Sequence, residues 1–203
     1  MIYPTHEREK ILFEDSSIKL VGGIDEAGRG PIAGPVVVGI AVISREHKEI
    51  EGIRDSKTLS EKQREKLFEI ITNSDVNWAF GYGSHKLIDE KGIMFAVRQA
   101  TSRAYEKLSP HPDICLNDGS LTGFKFKYQC FDKGDRDIYI ISMASIIAKV
   151  VRDRAMREYD KRFPQYGFAK HKGYGTKAHY ERIKEFGMCE IHRRSYIQVI
   201  SNK

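Results

Sequence analysis

Residues 19–43, KLVGGIDEAGRGPIAGPVVVGIAVI, constrain the fold of this chain more than any other stretch. Two apolar runs, 19–25 and 35–44, are rich in β-branched residues and punctuated by glycine, which favours strands over helices. The second run, PVVVGIAVI, does not alternate polar with apolar residues. Such a strand is buried on both faces or lies centrally in a sheet. Two adjacent acids, Asp25 and Glu26, end the first strand, and Gly28-Arg29-Gly30 follows directly. Gly28 to Ala33 formally matches G-x-G-x-x-A, but that dinucleotide fingerprint has to open a helix. Here Gly34, Pro35 and the β-branched run come next. Two glycines let a backbone come close to a sugar or phosphate and offer its amides, with Arg29 adding charge. A plain glycine turn fits the local sequence equally well.

The remaining pattern predicts an α/β chain. Residues 1–17 read as a loosely held polar arm. Ser60 opens a helix with Gln63 in the capping-box position. Residues 76–83 form a strand, and Ser84 caps a short helix that Gly92 interrupts. Ile93, Val97, Ala100, Ala104 and Leu108 mark an amphipathic helix ended by Pro110 and Pro112. A short strand, 113–117, leads to Asp118-Gly119. Phe124, Phe126, Tyr128 and Cys130 alternate with polar residues as in a half-buried strand, and Lys133-Gly134-Asp135 forms a turn. A long helix spans roughly 140–163, then a Gly- and Tyr-rich loop, 165–175, and a last helix from Thr176 to Gly187. The chain of 203 residues reads as one domain, with a core of about 18–163 and a helical extension of about 164–203.

Composition narrows the classes of function. Lys plus Arg number 34 against 28 Asp plus Glu, a net +6 that suits a polyanionic partner. The three cysteines are widely spaced with no C-x-x-C, which argues against a disulfide framework or zinc site and suits a reducing, cytoplasmic setting. The longest apolar runs are strand-sized, so no membrane span is expected. Neither H-E-x-x-H, a Walker loop nor G-x-S-x-G occurs.

Three strand ends carry acids beside glycine: Asp25 with Glu26, Asp118, and Asp135. Carboxylates gathered at one sheet edge would suit hard divalent ions, as a two-metal nuclease needs. Acids beside glycine are also common turn residues. Because side chains alternate along a strand, a bend after Asp25 is needed to aim both acids at one point. Lys57, ahead of a helix N-terminus, makes a phosphate seat or an exposed loop lysine. Loop 165–175 interleaves Tyr166, Phe168 and Tyr174 with Lys170, His171 and Lys172. That pattern suits a nucleic-acid strand or a loop pinned to the core by its aromatics. His192, Arg193 and Arg194 add a basic tail. Lys149, Arg152, Arg154 and Arg157 read as a solvated helix face, some pairing with Asp153 and Glu158.

In order, GIDEAGRGPIAGPVVVGIAVI, DSKTLS, LNDG, KGD, SMASIIAKVVRDR, FPQYGFAKHKGYGT and IHRRSY resemble the motifs of bacterial ribonuclease HII, over about residues 20–197. The related ribonuclease HIII is less similar and lacks this Gly-Arg-Gly form. The resemblance implies a ribonuclease H-like α/β fold, a mixed five-stranded sheet flanked by helices with a helical C-terminal extension. It implies a Mg2+- or Mn2+-dependent endonuclease that cuts the RNA strand of RNA–DNA hybrids. The same enzyme would cut 5′ to single ribonucleotides in duplex DNA, leaving 3′-hydroxyl and 5′-phosphate ends. The chain would work as a cytoplasmic monomer. By motif, Asp25, Glu26, Asp118 and Asp135 would hold the metal, with Asp153 the alternative to Asp135. Gly28, Arg29, Gly30 and Tyr174 would sense the ribose and its neighbour, since the 2′-hydroxyl is what separates RNA from DNA. Lys57, Ser142 and Lys172 would lie near phosphates. Met143 departs from the usual alanine of the S-A-A-S-I run. A non-catalytic nucleic-acid-binding protein, or a DNA nuclease of the same fold, is the rival reading.

Overall fold

The structure, a computed structural model, describes residues 3–201. Its strands are β1 (Leu20–Ala27), β2 (Val36–Ser44), β3 (Asn77–Gly83), β4 (Ile114–Asp118) and β5 (Tyr128–Phe131). They form one mixed sheet in the order β3-β2-β1-β4-β5. β2 is antiparallel to both β1 and β3, whereas β4 runs parallel to β1 and to β5. The helices are α1 (Glu7–Glu14), α2 (Glu61–Thr72), α3 (His85–Lys91), α4 (Ile93–Tyr105), α5 (Gly134–Asp137), α6 (Tyr139–Arg162), α7 (Phe168–His171), α8 (Lys177–Phe186) and α9 (Arg194–Ser201).

The non-alternating β2 run is explained by its position. Val37, Ala41 and Ile43 pack into a core with α1, α2 and α6. Val36, Val38, Ile40 and Val42 pack on the opposite face with α3 and α4. With helices on both faces, every β2 residue before Ser44 is buried. α6 lies close against β1 and β2. A Cβ at Gly23 would stand 2.3 Å from the Ile140 carbonyl oxygen, so only glycine admits the helix there.

Several expectations need correction. The N-terminal arm is not loose. α1 buries Phe13 and Glu9, and the Glu9 carboxylate accepts from the Ile140 amide at 2.8 Å. That satisfies one of the orphan donors opening α6, whose own N-cap, Ile138, offers no side-chain cap. The alternation at Phe124, Phe126 and Tyr128 reflects half-burial, but the ladder covers only Tyr128–Phe131. Phe124, Phe126 and Tyr105 stack on one another instead. Loop 165–175 contains α7, and Tyr166 and Phe168 bury in a small core with Ala33, Met156 and Ile191. The pinned-loop alternative therefore holds for those two rings, leaving Tyr174 exposed. The capping box at Ser60 and Gln63 is present as expected. Among the described residues no helix is long and apolar enough to cross a membrane.

Candidate active site

The C-terminal ends of β1 and β4 open into a cleft of about 240 Å³ lined by Asp25, Glu26, Asp118, Gly28, Arg29, Gly30, Lys57 and Tyr174, among others. β1 does not bend after Asp25; its pairing with β2 continues to Ala27. The two acids therefore point to opposite faces. Asp25 is turned toward Ser145 of α6, and Glu26 toward Met94 and Val97 of α4. Both still border the cleft because it opens across the end of the strand. Asp118 ends β4 and accepts the Asp135 amide at 3.2 Å, which ties the first turn of α5 to the sheet edge. A left-handed Lys133 (φ 57°) turns the chain into that helix.

Buried like charges dominate the electrostatics. Burial, then Glu26 and Asp118, push the Asp25 carboxyl well above the ordinary aspartate range. Burial raises Glu26 against the pull of Arg29, whose guanidinium donates to Glu26 at 3.1 Å. Asp118 is raised by burial and by Asp135. Lys57 is the cation that meets this cluster. Its ammonium donates to Asp135 at 2.5 Å, and although burial opposes charge, that hydrogen bond holds the lysine above its ordinary value.

This donor set fits hard divalent cations: it is all oxygen, rich in negative charge, and free of cysteine and histidine. Among the described residues no three acidic or imidazole side chains converge closely enough to enclose an ion in this arrangement. Repulsion between buried carboxylates opposes such convergence, and the ammonium of Lys57 rests on Asp135 in the manner of a small cation. Asp153, the alternative ligand, is 2 % exposed and sits on α6 outside the cleft lining. Lys149 holds both its oxygens, at 2.6 and 2.8 Å, while Asp135, likewise outside the lining, reaches the cluster through Lys57 and the Asp118 carboxylate.

Opposite the acids stands a backbone wall. Gly28 has φ +99°, and a Cβ there would lie 2.0 Å from Arg152 Nε, so glycine is required twice over. Two fully buried arginines hold the wall from behind. Arg193 donates to the carbonyls of Gly28 (2.6 Å), Arg29 (2.9 Å) and Gly34 (2.9 Å). Arg152 donates to Pro35 (3.1 Å) and Ala33 (3.4 Å), with its guanidinium 5.9 Å from the Tyr174 ring centre. Among the described residues neither has a carboxylate in ion-pair range. Burial lowers both, Arg193 to about 10 with a further push from Arg152. Among the described residues the amides of Arg29 and Gly30 meet no hydrogen-bond acceptor and stand as donors on this wall.

Of the residues singled out in the sequence, the cleft gathers Asp25, Glu26, Asp118, Gly28, Arg29, Gly30, Lys57 and Tyr174, with Asp135 joined through Lys57 and Asp118. Two others lie elsewhere. Ser142 is fully buried and its hydroxyl donates to the Asp135 carbonyl at 2.7 Å, so it steadies α5 and is out of reach of a phosphate. The serines on the cleft wall are Ser145 and Ser56, hydrogen-bonded to each other at 2.8 Å. Lys172 is absent from the cleft lining; its ammonium binds Ala169 O at 2.5 Å and Glu61 at 3.2 Å. The basic face of α6 holds only in part: Lys149 pairs with Asp153 as expected and Arg154 is exposed. Arg154 and Arg157 pair with Glu65 and Glu61 of α2, and Arg152 is internal. A signal for Arg152 was present: Ala144, Ala148, Arg152 and Met156 form one i, i+4 row, all buried. Arg193 sits outside any such periodicity, and its inward direction is set by tertiary contacts alone.

Comparison with known proteins agrees with this geometry. The family model described as Ribonuclease HII matches residues 22–199. Ribonuclease HII of Acetivibrio thermocellus is 50% identical over 179 residues, 88% of this chain and 70% of that protein. The crystal structure of ribonuclease H2 from Pyrococcus horikoshii OT3 superposes with a TM-score of 0.72 at 29% identity, covering 90% of this chain and 98% of that one. Bst ribonuclease HIII, solved in complex with Mn2+, shares the fold at 17% identity with a TM-score of 0.67, covering 91% and 70% of the two chains. The match runs from β1 into α9 and takes in every acid of the cleft and both arginines behind its wall, so the chain belongs to the ribonuclease HII family and is a ribonuclease H endonuclease.

Proposed function

We propose that this endonuclease cuts on the 5′ side of a ribonucleotide, both within RNA–DNA hybrids and at single ribonucleotides in duplex DNA, leaving 3′-hydroxyl and 5′-phosphate ends. One observation carries the reading: the wall of Gly28 to Gly30 with Tyr174 shares a cleft with Asp25, Glu26 and Asp118. The amides of Arg29 and Gly30, unpaired among the described residues, suit a ribose 2′-hydroxyl, the group that distinguishes RNA from DNA. The exposed ring of Tyr174 offers a face for the adjoining sugar. Asp25, Glu26, Asp118 and Asp135 would hold Mg2+ or Mn2+; the metal bound to the Bst ribonuclease HIII is consistent with either. When bound, such ions supply Lewis acidity that polarises the phosphate and activates water. The chain's own residues do the rest. The acids gather negative charge around the cleft to hold the ions, Lys57 exchanges Asp135 for a substrate phosphate, and Arg152 with Arg193 keep the wall from yielding. The segment from residue 164 onward works as part of the same unit, because Arg193 belongs to it. The free cysteines suit a reducing cytoplasm, and we read the active species as a monomer.

Three duplexes test this with Mg2+ or Mn2+: one with a single ribonucleotide, one continuous RNA–DNA hybrid and one all-DNA. Cutting is expected in the first two only, with the nick 5′ to the ribonucleotide. Tyr174→Ala lowers cutting at the single ribonucleotide by roughly ten- to a hundredfold, the scale of a misplaced reacting group. Comparable cutting of the all-DNA duplex, or an unaltered Tyr174→Ala enzyme, contradicts the reading.

A further inference from the structure

Three histidines surround the backbone that carries Tyr174, and none of them enters the cleft. His179 on α8 and His192 after it are buried, with their Nε2 atoms 3.0 Å apart. His179 Nδ1 lies 2.9 Å from the Tyr174 carbonyl oxygen, and His192 Nδ1 lies 2.9 Å from the Cys189 amide nitrogen.

These contacts admit one neutral arrangement. A carbonyl only accepts, so His179 Nδ1 carries the proton and its Nε2 has a lone pair. His192 must then donate from Nε2, which leaves its Nδ1 to accept the Cys189 N–H. The alternative for His192, a proton on Nδ1 donated to the Cys189 carbonyl at 3.3 Å, would set two lone pairs face to face across 3.0 Å. Each polar group in the line is satisfied once: Cys189 N–H to His192, His192 to His179, His179 to the Tyr174 carbonyl.

We propose that His179 and His192 are positioning residues, a neutral two-imidazole relay that fixes the Tyr174 backbone and so aims its ring along the cleft wall. The proposal rests on the sugar-sensing role given to Tyr174 above.

The surroundings favour the neutral form. His171 of α7 stacks on His179 at 4.2 Å, and Tyr166 and Phe168 set their rings against His192 at 5.0 and 5.7 Å. The Cys189 thiol lies 3.2 Å from His192 Nδ1, and His85 of α3 adds a repulsive influence. Among the described residues no carboxylate contacts either ring. Burial takes both histidines down to about 4. His171 makes a parallel link: its Nε2 donates to the Tyr166 carbonyl at 2.8 Å and its Nδ1 accepts the Gly173 amide at 3.2 Å. Gly173 and Tyr174 are thus held from two sides. A third tie joins this loop to the glycine wall, where the Ile32 amide donates to the Gly173 carbonyl at 2.9 Å.

The relay makes a prediction about protons in the unmodified protein. Long-range nitrogen–proton spectra at pH 7 should show His179 protonated at Nδ1 and His192 at Nε2. The reverse tautomer on either ring, or a charged ring, overturns the relay. Its role is read from kinetics on the single-ribonucleotide duplex and the continuous hybrid. His192→Phe keeps a ring but removes the donor, and lowers kcat/KM on the single-ribonucleotide duplex by roughly tenfold, with a smaller effect on the hybrid. His192→Gln, whose amide can donate from the place of Nε2, recovers most of the loss. Added to Tyr174→Ala, His192→Phe has little further effect, because both act through one side chain. Equal losses on both substrates, or full additivity with Tyr174→Ala, would show a merely structural histidine and overturn the positioning role. A Tyr174→Ala enzyme with unchanged kinetics overturns the sugar-sensing reading and this role with it, whatever the tautomers.

Discussion

Asp118→Asn reduces cleavage by roughly a thousandfold or more, about 4 kcal/mol of transition-state stabilisation, while binding of the duplex changes little. The substitution is close to isosteric and keeps an oxygen for the Asp135 amide, so the loop stays in place and charge alone is removed. A second readout separates charge from geometry. Asp25, Glu26 and Asp118 all have carboxyls raised in the fold, with burial as the first cause. A carboxyl raised above its unfolded value favours the fold most below that unfolded value. The benefit is lost as pH rises through the folded value. At neutral pH without divalent ions the cluster therefore opposes folding. Asp118→Asn should raise the metal-free melting midpoint, by less than removal of a fully buried charge would, because Asp118 is only partly buried and its repulsion is screened. That gain should vanish below pH 4, where the unfolded carboxylates are protonated too. Thermal scans at pH 7 and pH 3.5, beside single-turnover cleavage, check both halves. A variant that keeps turnover removes Asp118 from the chemistry.

Arg193→Ala has the largest effect on stability. It leaves the carbonyls of Gly28 and Gly34 without their donor and a cavity where the guanidinium lay, while the Arg29 carbonyl keeps the Tyr196 hydroxyl at 3.1 Å. The expected cost is about 3–5 kcal/mol, since each stranded acceptor costs on the order of 1–3 kcal/mol and partial relaxation recovers some of it. Arg193→Lys keeps the charge but not the fork, and one ammonium cannot replace three directed bonds across that span. It should fold more stably than the alanine variant yet still discriminate poorly against DNA, because the wall is no longer held. Urea titration gives the first number, and the ratio of single-ribonucleotide to all-DNA cutting gives the second. A lysine variant with full discrimination would mean that charge behind the wall matters and its shape does not.

Much of this site could be read from residue order, because its chemistry lies at strand ends marked by glycine. Asp25, Glu26 and Asp118 stand where period-two patterning and turn residues put them. The capping box at Ser60 and the double burial of β2 follow from local pattern in the same way. What was not legible depends on tertiary contact. An acid such as Glu9 in a polar arm carries no local sign that it caps a distant helix. Arg193, in a stretch that reads as a basic tail, becomes a buried clamp because residues 189–193 run beside the glycine wall. There the Gly34 amide meets the Ile191 carbonyl and the Arg193 amide meets the Ile32 carbonyl. Ser142 and Ser145 are three residues apart on one helix, and only the packing of α6 decides which reaches the cleft. The expected bend after Asp25 was unnecessary for a simpler reason: a cleft across the end of a strand is open to both of its faces.

The central claim is that the four acids hold the ions beside a wall that recognises ribose. Anomalous diffraction from crystals grown with Mn2+ and a single-ribonucleotide duplex tests it most directly. The account predicts manganese peaks within oxygen-ligand distance of Asp25, Glu26, Asp118 and Asp135, with Lys57 moved off Asp135 and the ribose 2′-hydroxyl against the Arg29–Gly30 backbone. Manganese bound elsewhere, or a duplex seated with its ribonucleotide away from the Gly28 to Gly30 wall, would contradict it.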